Sequence, residues 1–266
     1  MADSTMPDDF YEEVEAYLPP EKTVGPQGGR PLIPNEVVTK VIYYVLVTGV
    51  RWRDVPLELG CCGETARTRL AEWQQLDVWP NIHRHFLQIL EDNGQLDASL
   101  VIIDSSQVRA HGGGESTGPS PVNRGKSGTK YSVLTDKNGV PLVFTHDPAG
   151  TSDHVQILPT VLKLEELGFD LNDEDSDPHK LMADAGYDSN ATRVLLGFLG
   201  METAIRKQGS EHGSGLGRVR WVVERTIGWL KGLRRLRQRY DRLDLIMNGW
   251  QSLAASILCY RMAGES

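Results

Sequence analysis

The sequence predicts an α/β fold, a mixed sheet with flanking helices, preceded by a small all-α N-terminal region. Two continuous apolar runs of strand length, 100–103 and 180–183, indicate buried strands. Asn138-Gly139 lies between two β-prone runs, which is typical of a hairpin. Helical segments alternate with the later strands, and a hairpin followed by such crossovers gives a mixed sheet.

The composition is that of an ordinary globular chain and excludes several classes of protein. The 266 residues are 39% apolar and 24% charged, and they include three cysteines without disulfide or zinc spacing. No stretch approaches the roughly 18 to 20 apolar residues of a membrane helix, and the N-terminus is acidic. We therefore expect a cytoplasmic protein without a membrane partner.

Residues 1–97 are predicted to be helical. After a short acidic helix within residues 1–30, apolar residues recur at helical spacing over 36–50, and further helices are expected over 63–75 and 79–91. Arg67 and Arg69 lie on the second of these three helices. The pattern fits a helix-turn-helix module and equally fits a small helical bundle packed on the main domain.

Residues 98–266 are predicted to form the second domain. Its expected elements are a strand at 100–103, a polar loop at 111–128, hairpin strands at 131–135 and 141–145, a helix at 154–167 capped by Asp153, an acidic linker at 170–179, a strand at 180–183, a helix at 190–199, a strand at 202–206, a short loop at 208–217 and a long helix at 218–240.

The charge is distributed unevenly along the chain. The whole chain has 28 basic and 36 acidic residues, a net charge of −8, which taken alone argues against a polyanionic partner. Residues 201–266 contain 12 basic and 6 acidic side chains, mostly between Arg206 and Arg242. A basic segment of this kind in an acidic protein indicates a local anion-binding face.

Both apolar strands lead directly into an aspartate, Asp104 after 100–103 and Asp184 after 180–183. An aspartate at the end of a buried strand is costly unless it is paired, caps a turn or binds a cation. Capping of a turn is an open alternative for each residue, but its occurrence on both strands favours a shared site.

The long predicted helix places charged residues in one narrow stripe. At 100° per residue, a stripe of about 60° contains Arg220, Glu224, Gly228, Lys231 and Arg235. Apolar residues cover most of the remaining circumference, which favours a glutamate facing a cleft over a solvated helix. An exposed i,i+4 salt bridge between Arg220 and Glu224 is the alternative.

Asp104, Asp184 and Glu224 together form a candidate carboxylate trio. Oxygen ligands of this kind suit Mg²⁺ or Mn²⁺ rather than zinc. Two such ions, about 3.5 to 4 Å apart, can activate an attacking water and stabilise the leaving oxygen of a phosphodiester. The trio is therefore predicted to be both metal-binding and catalytic.

Five ordered segments carry a resemblance to a known family: VIIDSSQVRAH, NRGKSGTKYSVLTDKNGVPL, GTSDH, ADAGYDS and GRVRWVVERTIGWLKGLRRLRQRYDR. In this order and spacing they resemble the DDE transposases of bacterial insertion sequences, specifically the insertion sequence five family. The resemblance spans about residues 34–261, but residues 34–95 match the family's helical, end-binding region only loosely.

The resemblance implies an RNase H-like catalytic domain in which Asp104, Asp184 and Glu224 are the catalytic residues. It also implies that Arg220 and Lys231 contact phosphate, that the insertion before the last catalytic helix is short, and that the chain self-associates on DNA in the bacterial nucleoid. A tyrosine that many relatives have three residues before the arginine is here Gly217. The role of that tyrosine is therefore not carried over to this chain.

The sequence thus predicts a transposase that binds the double-stranded ends of its element, cuts them by metal-dependent hydrolysis and joins the 3′-hydroxyl ends to target DNA. The phosphate backbone would be bound in a salt-dependent way. The residues predicted to bind DNA are Arg67, Arg69, Arg220, Arg225, Lys231, Arg234, Arg235, Arg237, Arg239 and Arg242.

Two other functions are weighed. Lys180 followed by residues 184–188 mimics the lysine and acidic loop of haloacid dehalogenase-type phosphohydrolases, but the second aspartate needed in that chemistry is Ser106 here. The other candidate is a transposase-derived DNA-binding regulator without catalysis. All three carboxylates are present, which favours the enzyme.

Overall fold

A computed structural model of the chain describes residues 5–21, 32–171, 180–206 and 217–264. The helices are α1 (Asp8–Glu15), α2 (Asn35–Thr48), α3 (Gly63–Gln75), α4 (Val78–Asp92), α5 (Asp153–Leu162), α6 (Asn190–Phe198), α7 (Gly217–Gly232) and α8 (Asp244–Ala263). The strands are β1 (Leu100–Arg109), β2 (Gly118–Pro119), β3 (Ser127–Thr135), β4 (Pro141–Pro148), β5 (Lys180–Ala183) and β6 (Glu202–Ile205).

The N-terminal helices form where the apolar spacing predicts them. In α2 the apolar side chains at helical spacing are buried, and the helix ends at Gly49, whose φ of 70° suits a glycine C-cap. Helices α3 and α4 begin and end within one residue of their predicted bounds. The prediction of a helical N-terminal region is confirmed.

The sheet is mixed. Its main order is β4-β3-β1-β5-β6, with antiparallel pairing of β4 with β3 and of β3 with β1, and parallel pairing of β1 with β5 and of β5 with β6. The two-residue strand β2 also pairs with the beginning of β3. An antiparallel hairpin followed by parallel crossover strands is the RNase H-like sheet expected from the resemblance.

The long helix predicted over 218–240 is wrong beyond Gly232. Leu233 adopts an extended backbone, a short 3₁₀ turn follows at Arg234–Arg237, and α8 begins at Asp244. The chain reverses because Arg235 is drawn into the interior by Asp241 and because the Arg237 Nε–H donates to the Lys231 carbonyl. Helix α8 was not predicted from the sequence.

Two smaller predictions also fail. Asp153 does not cap α5, because Ser152 holds the N-cap position and Asp153 is already helical. The strand predicted at 100–103 extends to Arg109, because its pairing with β3 continues that far, and Asp104 therefore lies within β1. The linker at 172–179 and the loop at 207–216 lie outside the described residues, and so does the predicted short insertion.

One hydrophobic core extends through both predicted domains. Helix α8 packs against α3 and α4 and also against β4, so it lies between the helical region and the sheet. The boundary between residues 97 and 98 therefore stays a prediction. Among the described residues, no helix is long and apolar enough to cross a membrane.

Candidate active site

The strand register brings Asp104 and Asp184 to the same level of the sheet. The parallel pairing of β1 with β5 aligns Ile102 with Met182, so the residues two positions later are side by side. Parallel strands lie about 4.8 Å apart. Since β5 ends at Ala183, β1 has no neighbour on that side beyond this level, and the sheet edge opens at the two aspartates.

Helix α7 is held over the sheet by the turn between β3 and β4. The Thr226 hydroxyl donates to the Gly139 carbonyl at 2.7 Å, and Arg225 donates to the Asn138 carbonyl at 2.6 Å. Gly139 has a φ of 95°, and a Cβ there would lie 2.9 Å from Val222. The turn needs a glycine both for its backbone and for this close approach of α7.

Arg220 lies between the three predicted catalytic carboxylates. Its Nη2 is 3.3 Å from Asp104 Oδ2 and 3.5 Å from Glu224 Oε1, and its Nη1 is 3.3 Å from Asp184 Oδ1. One guanidinium thus contacts an aspartate from β1, an aspartate after β5 and a glutamate from α7. The structure brings together the residues that the sequence grouped; their catalytic and metal-binding roles stay predictions.

The three carboxylates differ in exposure. The Asp104 side chain is 18% exposed, whereas those of Asp184 and Glu224 are 46% and 58% exposed. Burial raises the pKa of Asp104 above its usual value, and hydrogen bonding by the Ser105 N–H and the positive charge of Arg220 oppose this rise. Asp184 also accepts a hydrogen bond from the Ala185 N–H at 2.6 Å. The cluster has a buried side at β1 and an open side at α7.

Lys231 reaches the same face of β1 as the carboxylates. Its Nζ donates to Ser106 Oγ at 2.8 Å, and Ser106 lies two residues after Asp104, on the same side of the strand. Burial lowers the pKa of the Lys231 ammonium. In the sequence, Ser106 was noted only as a departure from the haloacid dehalogenase pattern, and its contact with Lys231 was not predicted.

Asp153 is a second residue whose place in the site the sequence missed. Its Oδ1 accepts from Ser105 Oγ at 2.9 Å and pairs with Lys130 Nζ at 3.0 Å. A Cβ at Gly186, in the turn after Asp184, would lie 3.1 Å from Asp153 Oδ2, so this turn closely approaches the same carboxylate. Asp153 therefore connects the strand that carries Asp104 to the turn that carries Asp184. The GTSDH segment, which contains Asp153, was the feature of the sequence that could have indicated this residue's place in the site.

Two of the arginines predicted to bind DNA are buried, and the prediction is wrong for them. Arg235 is 4% exposed and makes two bonds of 2.9 Å to Asp241. Arg239 is 1% exposed and contacts Thr129 and Asp244. Arg235 balances the nearly buried carboxylate of Asp241, and Arg239 pairs with the partly exposed carboxylate of Asp244.

The other predicted cations have different surroundings. Arg234, Arg237 and Arg242 are exposed at or beyond the end of α7. Arg67 pairs with Glu64 on the surface of α3. Arg69, whose side chain is 16% exposed, turns inward towards Asn35, 3.4 Å away. The surface available for phosphate therefore lies mostly after Gly232 rather than on α3.

The geometry opposes the haloacid dehalogenase-type alternative. Lys180 begins β5, whereas Asp184 follows its other end, about 13 Å away at 3.3 Å per residue. The Lys180 ammonium pairs with Glu202, 3.0 Å away. Lys180 therefore does not lie at the carboxylates, where a haloacid dehalogenase-type mechanism would need it.

The mixed RNase H-like sheet presents acidic side chains close to one another from two strands and a helix. This is the arrangement that the sequence resemblance predicts for a DDE transposase. Comparison with known families agrees with it. The family model "Transposase DDE domain" matches residues 95–259, and the model "Putative transposase of IS4/5 family" matches residues 6–83. The chain belongs to the DDE transposases of the IS4/5 type.

Similar proteins include two from Burkholderia cepacia. The "Putative transposase for insertion sequence element IS402" is 38% identical over 159 residues, 60% of this chain and 74% of that protein. The "Insertion element IS402 uncharacterized 16.2 kDa protein" is 38% identical over 123 residues, 46% of this chain and 84% of that protein. The crystal structure of the Mos1 strand transfer complex has a TM-score of 0.37 at 13% identity, covering 89% of this chain and 77% of that one.

Proposed function

We propose that this chain cuts DNA at the ends of its insertion sequence by phosphodiester hydrolysis and joins the resulting 3′-hydroxyl ends to target DNA. The convergence of Asp104, Asp184 and Glu224 on one point of an RNase H-like sheet is the observation that carries the proposal. The family supports an enzyme of the nuclease and strand-transferase kind.

The family implies a divalent metal, and the donor chemistry of the cluster fits one. All three side chains offer carboxylate oxygens, the ligands that Mg²⁺ and Mn²⁺ prefer. Among the described residues no three acidic, histidine or cysteine side chains are grouped to hold an ion, and Arg220 lies between the three carboxylates. We propose that Asp104, Asp184 and Glu224 hold two ions once the guanidinium moves aside.

Metal ions held there would activate the attacking oxygen and stabilise the leaving one. The side chains supply the remaining functions. Arg220, released from the carboxylates, can donate its N–H groups to the phosphate next to the cut bond, for which its planar fork is suited. Lys231 projects from α7 onto the same face of β1 and adds a second positive charge there.

The exposed cations after α7 extend this surface. Arg234 and Arg237 lie in the 3₁₀ turn that follows Gly232, and Arg242 lies before α8. We propose that they bind the DNA backbone, so that affinity falls steeply with salt. Pairing of two element ends would require at least two copies of the chain.

The test is a cleavage assay with the full chain and labelled duplexes that contain the ends of its element, with Mg²⁺ or Mn²⁺. We expect nicking at the tip that a chelator abolishes. Glu224→Gln and Asp184→Asn should lower its rate by about 10²- to 10³-fold or more, since each removes a negatively charged ligand of the metal ions whose charge would stabilise the reacting phosphate. The matched control Glu64→Gln changes an exposed glutamate on α3 and should cleave normally.

Binding of the same duplexes should be nearly unchanged in the two site variants. Retained metal-dependent cleavage in either variant would contradict the assignment of the trio. If the unmodified chain binds the element ends but cuts them with neither metal, the DNA-binding regulator is the better description.

A further inference from the structure

The exposed side of α7 carries an aromatic and cationic stack that the proposed cleavage reaction does not use. The Arg225 guanidinium lies 4.7 Å from the Trp221 ring centroid and 4.5 Å from that of Trp229. Trp221 is 50% exposed and Trp229 is 43% exposed. Because Arg225 also donates to the Asn138 carbonyl at 2.6 Å, the hairpin turn holds the arginine in place between the two rings.

A glycine opens the surface beside this stack. Gly228 lies in the interior of α7, and apart from the two adjacent residues and the backbone of the helix itself, no heavy atom is within 4 Å of the position where its Cβ would be. An interior glycine weakens a helix relative to alanine, and neither a turn nor close packing accounts for one here. The missing side chain leaves a shallow groove, which we define as Trp221, Arg225, Gly228 and Trp229.

The Trp221 end of this groove lies next to the catalytic glutamate. At 100° per residue, Gly228 is 40° and Trp221 is 60° from Glu224 around the helix, whereas Trp229 is 140° away. Along the axis, Trp221 and Trp229 are about 4.5 Å and 7.5 Å from Glu224. Nucleotides of one duplex strand are about 3.4 Å apart, so a base one to two nucleotides from a phosphate at Glu224 is within reach of Trp221, and the strand can continue past Arg225 to Trp229.

The size and charge of the groove favour nucleic acid over a second copy of the chain. Two half-exposed tryptophans offer roughly 200 Å² of apolar surface, well below the ~800 Å² that each partner contributes to a stable protein interface. The cation between the rings, Lys231 on the same helix and the exposed Arg234 beyond it complement a phosphate backbone. Flat π faces of this kind stack on bases without regard to sequence.

We propose that the groove binds unpaired bases of DNA beside the cut bond by stacking on Trp221 and Trp229. The inference rests on the proposed function in one respect, since it takes DNA to be the ligand. It adds a binding site for single-stranded bases, separate from the carboxylates and from the phosphate-binding arginines.

The experiment measures the affinity of the full chain for two labelled probes without metal, a duplex with a single-stranded 3′ overhang and a blunt duplex with the same paired region. The unmodified chain should prefer the overhang. In the double variant Trp221→Ala/Trp229→Ala, affinity for the overhang should fall about 10-fold or more, in line with base stacking on aromatic rings, and affinity for the blunt duplex should not change.

Three further variants separate stacking from a loss of structure. Trp221→Phe/Trp229→Phe keeps two rings and should retain most of the preference. Gly228→Leu fills the groove while strengthening the helix, so it should raise the melting temperature and still weaken overhang binding. Phe198→Ala removes an 83% exposed ring on α6, outside the groove, and should change neither affinity.

Several results would overturn the inference. An equal loss for both probes would mean that the tryptophans act only through backbone contacts or the fold. A smaller assembled mass of the double variant in light scattering, with the overhang preference intact, would assign the groove to a second copy. If the unmodified chain binds both probes equally, this inference fails while the proposed function stands; if it binds neither, the proposed function fails.

Discussion

Two arginine–carboxylate clusters lie a few turns apart in this chain, and they differ in almost every physical respect. Arg235 and Asp241 are buried, and two bonds of 2.9 Å join them. Arg220 faces three carboxylates, none closer than 3.3 Å, and two of those carboxylates are about half exposed. The first is a closed ion pair and the second is an open cluster.

The difference in charge explains the difference in role. In the closed pair one cation balances one anion, and the indole N–H groups of Trp52 and Trp250 donate to the remaining lone pairs of Asp241. The open cluster has three ionisable carboxylates for one guanidinium, an excess of two negative charges when all are ionised. This excess of negative charge at a solvent-facing edge of the sheet favours the binding of further cations. The closed pair therefore serves the fold, and the open cluster is suited to the proposed binding of metal ions.

The largest effect should come from breaking the closed pair. Arg235→Ala leaves Asp241 buried without a cation, and we expect it to lower the free energy of unfolding by about 3–5 kcal/mol. Urea denaturation followed by circular dichroism measures this. Arg234→Ala, at the exposed neighbouring residue, is the matched control and should change stability by no more than about 0.5 kcal/mol.

A loss below about 1 kcal/mol in Arg235→Ala would mean that the buried pair contributes little, as for exposed pairs. Arg235→Lys keeps the charge but loses the planar fork, so its stability should lie between those of the parent chain and the alanine variant.

Acid should destabilise the chain through a buried histidine. His83 is buried in α4, its Nε2 lies 2.8 Å from the Pro141 carbonyl, and burial lowers its pKa from 6.5 to about 4. Between these values the unfolded chain takes up the proton and the folded chain does not. The contribution of His83 is therefore fully present above pH 6.5, and about 3 kcal/mol is lost as the pH falls to 4.

His83→Gln should remove this part of the pH dependence, since glutamine can donate to the carbonyl without titrating. His154→Gln, at an exposed histidine of α5, serves as control. Unfolding curves at several pH values would measure how the free energy of unfolding of each variant changes with pH. An unchanged slope between pH 4 and 6.5 in His83→Gln would show that other groups cause the acid sensitivity.

The sequence predicted those parts of the molecule that depend on local pattern. Apolar periodicity located α2, α3 and α4, continuous apolar runs located β1 and β5, Asn138-Gly139 located the hairpin, and motif order indicated the family. The two aspartates could be grouped because both follow apolar runs. Their alignment depends on the register of Ile102 with Met182, which was found only in the fold.

Long-range contacts account for most of what was missed. The arginines from Arg234 to Arg239 were predicted to lie on the helix over 218–240 and to bind DNA, but Arg235 and Arg239 are buried because they pair with Asp241 and Asp244. Helix α8 is buried along most of its length, so it lacks the one-sided apolar pattern that reveals a surface helix. The position of Arg220 among three carboxylates depends on elements more than one hundred residues apart.

The smallest of these effects is the sharpest test of the open cluster, and it concerns metal affinity without any cleavage. If Arg220 is a placeholder among the carboxylates, Arg220→Ala should bind Mn²⁺ about tenfold more tightly, a gain of about 1.4 kcal/mol. Stability should change by less than about 1 kcal/mol, because the pairs are partly exposed. Titration calorimetry of the DNA-free chain measures the affinity.

The matched control is Lys231→Ala, which removes a positive charge from the same face of β1 without touching the carboxylates. A general charge effect would raise the affinity of both variants equally, whereas occupation of the site by the guanidinium predicts a clear gain only for Arg220→Ala. Weaker Mn²⁺ binding in Arg220→Ala would show instead that the arginine holds the carboxylates in place for the ion. Arg220 would then have a structural role in the open cluster, as Arg235 has in the buried pair, although the open cluster is more exposed.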